Sequence, residues 1–257
     1  MAFVIVNGKT YEADLLVFDK DGLMFDSEAF WVEMANARMR ALAKYCSTEQ
    51  LLTLAGRMGI RTTVTPAGTV EATWADPAGI LAIAPPTEEV VLVAAYLSDI
   101  KGLMWHEART LAAEVFRISD ADMDMTRAVQ PMPGYIKLMT RINELGIPYG
   151  VATSDNVERT RVAMDRYGFY QNVRFIVTSD DVTEGKPAPD MLRFIAKKEN
   201  VPTSRIAMFG DSYVDVQMAK AAGSIGIGVT TSAGMQAKMK PYASEIVPSL
   251  EGITVEK

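Results

Sequence analysis

The residues best suited to chemistry fall into four short groups: Asp19-Lys20-Asp21-Gly22, Thr153-Ser154, Gly185-Lys186-Pro187, and Gly210-Asp211-Ser212 with Asp215 four residues beyond Asp211. Carboxylates suit a hard cation, while a hydroxyl and an ammonium suit an anion, so the set describes a site for magnesium and phosphate. In an extended or just-turning chain, side chains at i and i+2 point the same way. Asp19 and Asp21 are therefore expected to face one substrate, with Lys20 pointing elsewhere. A carboxylate beside a magnesium ion can attack phosphorus to give an aspartyl-phosphate, and a second carboxyl can protonate the leaving oxygen and then take a proton from water. Thr153 offers its hydroxyl to a phosphoryl oxygen, and the Ser154 backbone N–H adds a donor where a helix opens. Lys186 offsets charge on the nucleophile and the transferring group, on a backbone stiffened by Pro187 and Pro189. Asp211 is expected to bind magnesium with Asp19 and the Asp21 carbonyl. Asp215, one helical turn on, is read either as a further ligand, direct or through water, or as a carboxylate serving its helix's N-terminus.

Elements that can position these groups are visible in the pattern. Phe3–Val6 and Thr10–Ala13 flank Asn7-Gly8, a hairpin turn pair, and the apolar run Leu15–Phe18 then delivers Asp19. Helical spacing of Phe30, Met34, Ala37, Ala41 and Tyr45 predicts a helix over 27–45, with a short second one over 49–55. The Thr-, Val-, Gly- and Pro-rich stretch 57–86 reads as a β-rich excursion or long loop, and 87–116 as helix broken near Gly102. After residue 130 strand and helix alternate. Pro133 opens a helix ending at Gly146, strand 147–152 follows, and then a helix capped by Asp155 with Glu158. Strand 175–178, helix 188–199, strand 206–209, helix 213–222 and a closing strand 225–229 complete the series. Such alternation calls for a parallel sheet with helices on both faces, with ligands at the carboxyl ends of the strands. The break in alternation divides the chain into a core of 1–26 and 131–257 and an inserted, mainly helical domain of 27–130.

Composition narrows the classes. A net charge of −6, with no basic stripe or tail, argues against nucleic acid and anionic membranes as partners. One cysteine, Cys46, excludes an internal disulfide framework and suits a reducing cytoplasm. The expected localisation is cytoplasmic, the expected partner is a small phosphorylated metabolite, and monomer and homodimer stay open. Arg57, Arg61, Lys101 and His106 are candidate substrate readers, though surface roles suit each better. The methionines 34, 39, 104, 123, 125 and 132 read as core filling, and 57–86 as the place for specificity or dimer contacts.

In order and spacing, the four groups resemble the motifs of the haloacid dehalogenase superfamily of phosphohydrolases. The insertion after the first motif resembles the helical cap of its phosphoglycolate phosphatases, phosphosugar phosphatases and β-phosphoglucomutases. The resemblance implies an α/β, Rossmann-like, doubly wound parallel sheet with an inserted cap domain that closes over the site. It also implies magnesium as cofactor. Carried over by position, Asp19 is the nucleophile, Asp21 the general acid/base, Thr153 and Lys186 the phosphate binders, and Asp211 with Asp215 the metal cluster. Asp21, absent from the dehalogenases themselves, argues for phosphoryl transfer. Leu23 stands where Thr or Val is usual. Trp31 replaces the histidine of β-phosphoglucomutases, which favours a phosphatase over a phosphomutase, and Lys44 has no surroundings suited to a Schiff base. The alternative from another class is a receiver-like phospho-aspartate switch. Receivers put their acidic pair first, phosphorylate a later aspartate and lack so long an insertion.

Overall fold

The computed structural model describes residues 1–257 other than 78, 85 and 156, and other than the side chains of 83 and 86. The chain forms two compact units, Met1–Asp26 with Pro131–Lys257, and Ser27–Gln130.

In the first unit the hairpin of β1 (Ala2–Val6) and β2 (Lys9–Ala13) turns at Asn7 and Gly8, both at positive φ. It leads into β3 (Leu15–Phe18), whose four side chains are all buried. Burial on both faces is what a central parallel strand requires, and β3 reads as an unbroken apolar run for that reason. Counting onward past the second unit's strands β4 (Ile60–Val64) and β5 (Val70–Ala75), the first unit adds β6 (Tyr149–Ala152), β7 (Ile176–Val177), β8 (Ile206–Gly210), β9 (Ile225–Val229), β10 (Glu245–Val247) and β11 (Ile253–Glu256). The six-stranded sheet runs β10-β9-β8-β3-β6-β7, parallel throughout. Successive strands move outward from β3 through β6 and β7, and then from β8 through β9 and β10. The winding direction therefore reverses between β3 and β8, which opens a crevice at their carboxyl ends.

Leu15 and Val17 point to one face, where they join Met191, Leu192 and Ile195 of helix Asp190–Glu199 and Met218 and Ala219 of helix Tyr213–Ala222. On the other face Phe18 stacks on Phe209 with ring centroids 4.6 Å apart and meets Tyr149 edge-on at 6.4 Å. Helices flank the parallel sheet, as the strand–helix alternation requires.

Several boundaries differ from the sequence expectation. Strand β9 does not close the series: β10 adds to the sheet beyond it, and β11 pairs antiparallel with β1 to make a separate three-stranded sheet β11-β1-β2. The short β10 lacks the long apolar run that marks its central neighbours. The helix expected from Pro133 begins at Tyr135, because the Tyr135 N–H closes a turn on the Met132 carbonyl (3.0 Å) that holds Pro133 outside. The helix expected to be capped by Asp155 starts at Val157, so its cap position, 156, lies outside the described residues.

The second unit holds helices Ser27–Leu42, Thr48–Arg57, Pro86–Lys101 and Trp105–Ala121, with short turns at Ile80–Ile83 and Met125–Ala128. The first helix stops short of the expected residue 45, and the break near Gly102 is present. The ambiguous 57–86 stretch contains the antiparallel hairpin β4–β5, whose register shifts between Arg61 and Thr62. Residues 78 and 85 of that stretch lie outside the described residues. Ser47 caps the second helix through a reciprocal pair with Gln50. Met34, Met39, Leu54, Val93, Leu97 and Val115 are among the residues of this unit's own core. Met34 and Met39 thus fill core, whereas Met104 is exposed. Among the described residues, no helix is long and apolar enough to cross a membrane.

Candidate active site

Asp19 sits at the carboxyl end of β3 and stays attached to the sheet, its N–H donating to the Phe209 carbonyl at 2.9 Å. The chain then turns sharply: Met24 and Phe25 both donate to the Lys20 carbonyl, at 3.0 and 3.2 Å, and Gly22 donates to the Phe25 carbonyl at 2.8 Å. Gly22 has φ +78°, and a Cβ added there would lie 2.2 Å from Asp211 Oδ2. Conformation and space both demand glycine, and its absent side chain is what lets Asp211 approach the first loop.

Strand β8 delivers Asp211, and Ser212 caps the helix Tyr213–Ala222 with Asp215 as the reciprocal partner, the Ser212 N–H reaching Asp215 Oδ2 at 3.2 Å. A Cβ on Gly210 would fall 2.2 Å from the Asp215 Cβ, so a glycine here makes room for that carboxylate to fold back. Asp215 thereby takes the helix-terminus role, one of its two readings. It serves the helix N-terminus through one oxygen and turns the other, Oδ1, to Lys186 at 2.6 Å.

Lys186 is the bridge of the site. Its Nζ lies 2.6 Å from Asp19 Oδ1 as well as 2.6 Å from Asp215 Oδ1, and its side chain is only 5% exposed. Asp19, Asp211 and Asp215 each offer a carboxylate oxygen, all lying within 4.8 Å of one another. Burial pushes the Asp211 carboxyl up to about 8, with the charges of Asp19 and Asp215 adding to the shift. Asp19 is also raised, first by burial, which the contact with Lys186 opposes. Burial works to lower the Lys186 ammonium, but the two carboxylates outweigh it and hold it above the ordinary lysine range. Three hard oxygen donors close to one another, two of them on a buried ammonium, make a donor set that fits a further hard divalent ion such as magnesium.

Thr153 directly follows β6, is buried, and accepts the Asp155 N–H on its hydroxyl oxygen at 3.1 Å, which leaves the hydroxyl proton to donate. Ser154 is exposed and stands three residues before the first helical residue, rather than at the helix opening. The Asp21 side chain is not in the carboxylate trio. Its Oδ1 is taken at 2.6 Å by Lys20 Nζ, which also lies 2.8 Å from Asp155 Oδ2. Lys20 therefore does not point elsewhere, as extended geometry suggested. The chain turns at its carbonyl, and the side chain folds back, 3% exposed, between two carboxylates.

Lys20 and Asp155 are the residues that sequence reasoning missed in this cluster. The usable signal was a lysine between an all-apolar strand and a tight glycine turn, where little solvent is available to it. Of the candidate substrate readers, Arg57 and Arg61 lie over the rings of Tyr96 (5.1 Å) and Trp74 (4.2 Å) within the second unit, and Lys101 and His106 are exposed. Lys44 is exposed as well.

Residues 13–223 match the haloacid dehalogenase-like hydrolase family, and the chain belongs to that family. Among curated proteins it is 32% identical over 127 residues to the validoxylamine A 7'-phosphate phosphatase of Streptomyces hygroscopicus subsp. limoneus, covering 49% of this chain and 59% of that one. It is 31% identical over 105 residues to a phosphoglycolate phosphatase of Neisseria meningitidis, covering 41% of this chain and 45% of that one. The chain spans about half the length of the curated relatives it matches. In fold it resembles a solved family IA hydrolase of the superfamily from Entamoeba histolytica, with TM-score 0.56, 19% identity and 95% of each chain covered.

Proposed function

We propose that this chain is a magnesium-dependent phosphatase of small phosphorylated metabolites, a sugar phosphate or a phosphoglycolate-like acid, working through a phosphorylated Asp19. The observation that carries the reading is the convergence of Asp19, Asp211 and Asp215 around Lys186 at the point where the parallel sheet reverses its winding. The names of the curated relatives support the substrate class.

The residues divide the work as follows. Asp19, rigid at the strand end, forms a bond to phosphorus while the bond from phosphorus to the ester oxygen breaks. Asp21 gives that oxygen its proton, so an alcohol leaves. Lys186 and the Thr153 hydroxyl hold phosphoryl oxygens and offset their charge. Asp21, now a carboxylate, takes a proton from water as the water oxygen attacks phosphorus, which frees inorganic phosphate and restores Asp19. Magnesium, when bound by Asp19, Asp211, Asp215 and the Asp21 carbonyl, supplies further neutralisation of phosphate charge. The 27–130 unit is proposed to be the cap that sets substrate selectivity.

The test is phosphate release with and without magnesium from a panel of glucose 6-phosphate, glycerol 3-phosphate, 2-phosphoglycolate and p-nitrophenyl phosphate. Release that stops in chelator and in Asp19→Asn is the expected result. A silent wild-type protein with magnesium present overturns the reading, and isomerised sugar phosphate without free phosphate would make it a mutase.

A further inference from the structure

We propose that Lys20 and Asp155 are a positioning pair that holds the Asp21 carboxyl for proton transfer, an inference that rests on the phosphatase reading above. Asp21 projects from a six-residue turn, with its side chain 35% exposed, and a carboxyl so placed has rotational freedom. The Lys20 ammonium removes that freedom by holding Asp21 Oδ1 at 2.6 Å while anchored at 2.8 Å to Asp155 Oδ2.

Asp155 is itself fixed. Its N–H donates to the Thr153 hydroxyl at 3.1 Å, and the Arg159 guanidinium lies 3.7 Å from its Oδ1. The chain of contacts from Thr153 through Asp155 and Lys20 to Asp21 ties the loop after β6 to the loop after β3. The hydroxyl offered to the phosphoryl group and the carboxyl offered to the leaving group are thus linked by a continuous run of contacts. With Oδ1 held by the ammonium, Oδ2 is the oxygen that carries the proton. It loses that proton to the ester oxygen as the phosphorus–oxygen bond breaks, and regains one from water in the second step.

An ammonium beside a carboxyl favours its ionised form, which by itself opposes donation of a proton. The benefit of the pair is consequently placement: holding a reacting group in line is worth orders of magnitude in rate. Lys20 and Asp155 act through Asp21 and need not touch the substrate.

Leaving-group dependence tests this, because a merely structural role would slow all esters alike. First-turnover alcohol release is measured by rapid quench for p-nitrophenyl phosphate, whose leaving group departs without a proton, and for the fastest alkyl ester of the panel. Lys20→Met is expected to slow the alkyl ester about 100-fold and p-nitrophenyl phosphate less than about 5-fold, with KM for both within about 2-fold of wild type. Asp155→Asn should give the same pattern, more weakly. Should Lys20→Met not fold, the Lys20→Met/Asp155→Asn double variant removes the orphaned charge and carries the same measurement. An even loss on both esters, no loss, or faster alkyl release overturns the pair while leaving the phosphatase reading intact. A wild type inactive on every ester overturns both.

Discussion

Two buried lysines stand on either side of the end of β3, and their surroundings look alike at first. Lys186 lies between Asp19 and Asp215, and Lys20 between Asp21 and Asp155, each ammonium within 2.8 Å of two carboxylates and each side chain at most 5% exposed. The difference is in what surrounds the pairs. Lys186 sits where a third carboxyl group, Asp211, has drawn within reach of its partners, so three oxygen donors crowd together there. Around Lys20 no such trio forms among the described residues, and one of its carboxylates is a chain neighbour. The first region is a crowded set of oxygen donors suited to binding a further cation, which would ionise Asp211, and an anion with it. The second resembles a latch, closed by its own side chains.

That contrast sets the order of expected effects. Asp19→Asn keeps shape but removes the attacking carboxylate, and should lower phosphate release about 10⁴-fold or more with the fold retained. Lys186→Met should cost about 10³-fold in turnover. It also leaves the carboxylate trio without its built-in cation, and breaking a buried pair of this kind typically costs about 3–5 kcal/mol. Magnesium should then raise the melting temperature of Lys186→Met more than that of the wild type, as read by thermal unfolding with and without chelator. An equal rise in both would mean that Lys186 and the added ion do not offset the same charge.

The two regions were unequally legible. Lys186 stood out because glycine and prolines fix the backbone around it, and Asp19, Asp211 and Thr153 because each follows an apolar strand whose burial is written in its residues. The sheet's centre was readable for the same reason: β3, β6, β8 and β9 are dense apolar runs, and helix Tyr213–Ala222 falls within the bounds its pattern suggested. The rest depended on tertiary geometry. The i, i+2 rule sent Lys20 away from Asp21 because it assumes extended backbone, whereas the Lys20 carbonyl starts a turn. Strands β10 and β11 are short and owe their place to partners far off in sequence, so no local period marks them.

A pair of glycine substitutions sharpens the comparison at the next scale. Gly22 and Gly8 have nearly the same φ, +78° and +75°, but a Cβ at Gly8 meets nothing within 4 Å and one at Gly22 runs into Asp211. Gly8→Ala should therefore report the left-handed conformation alone, about 1–2 kcal/mol. Gly22→Ala should exceed it by the cost of displacing Asp211. It should also weaken the magnesium-dependent rise in melting temperature, which Gly8→Ala leaves unchanged. Equal unfolding energies for the two would remove the argument that Gly22 is there to admit Asp211.

The smallest effect is expected at the opposite end of the same strands. Asp14, just before β3, takes the guanidinium of Arg205 at 3.0 and 3.1 Å, near the start of β8, where water is close at hand. Its carboxyl is held below the usual aspartate range, first by the hydrogen bonds from Arg205, against a smaller opposing effect of burial. A lowered pKa means that the folded state binds fewer protons than the unfolded chain. The contact therefore contributes its full stability above the unfolded value near 4, and loses it as pH falls through the lower folded value. The side chain is 36% exposed, and solvent screening keeps the contribution under about 1 kcal/mol. Denaturant unfolding of wild type and Asp14→Asn should differ by a constant, small amount from pH 7 down to about 5, and converge below about pH 3. A difference above about 2 kcal/mol at neutral pH would put this exposed pair on a level with the buried ones, and the contrast between the two ends of the sheet would fail.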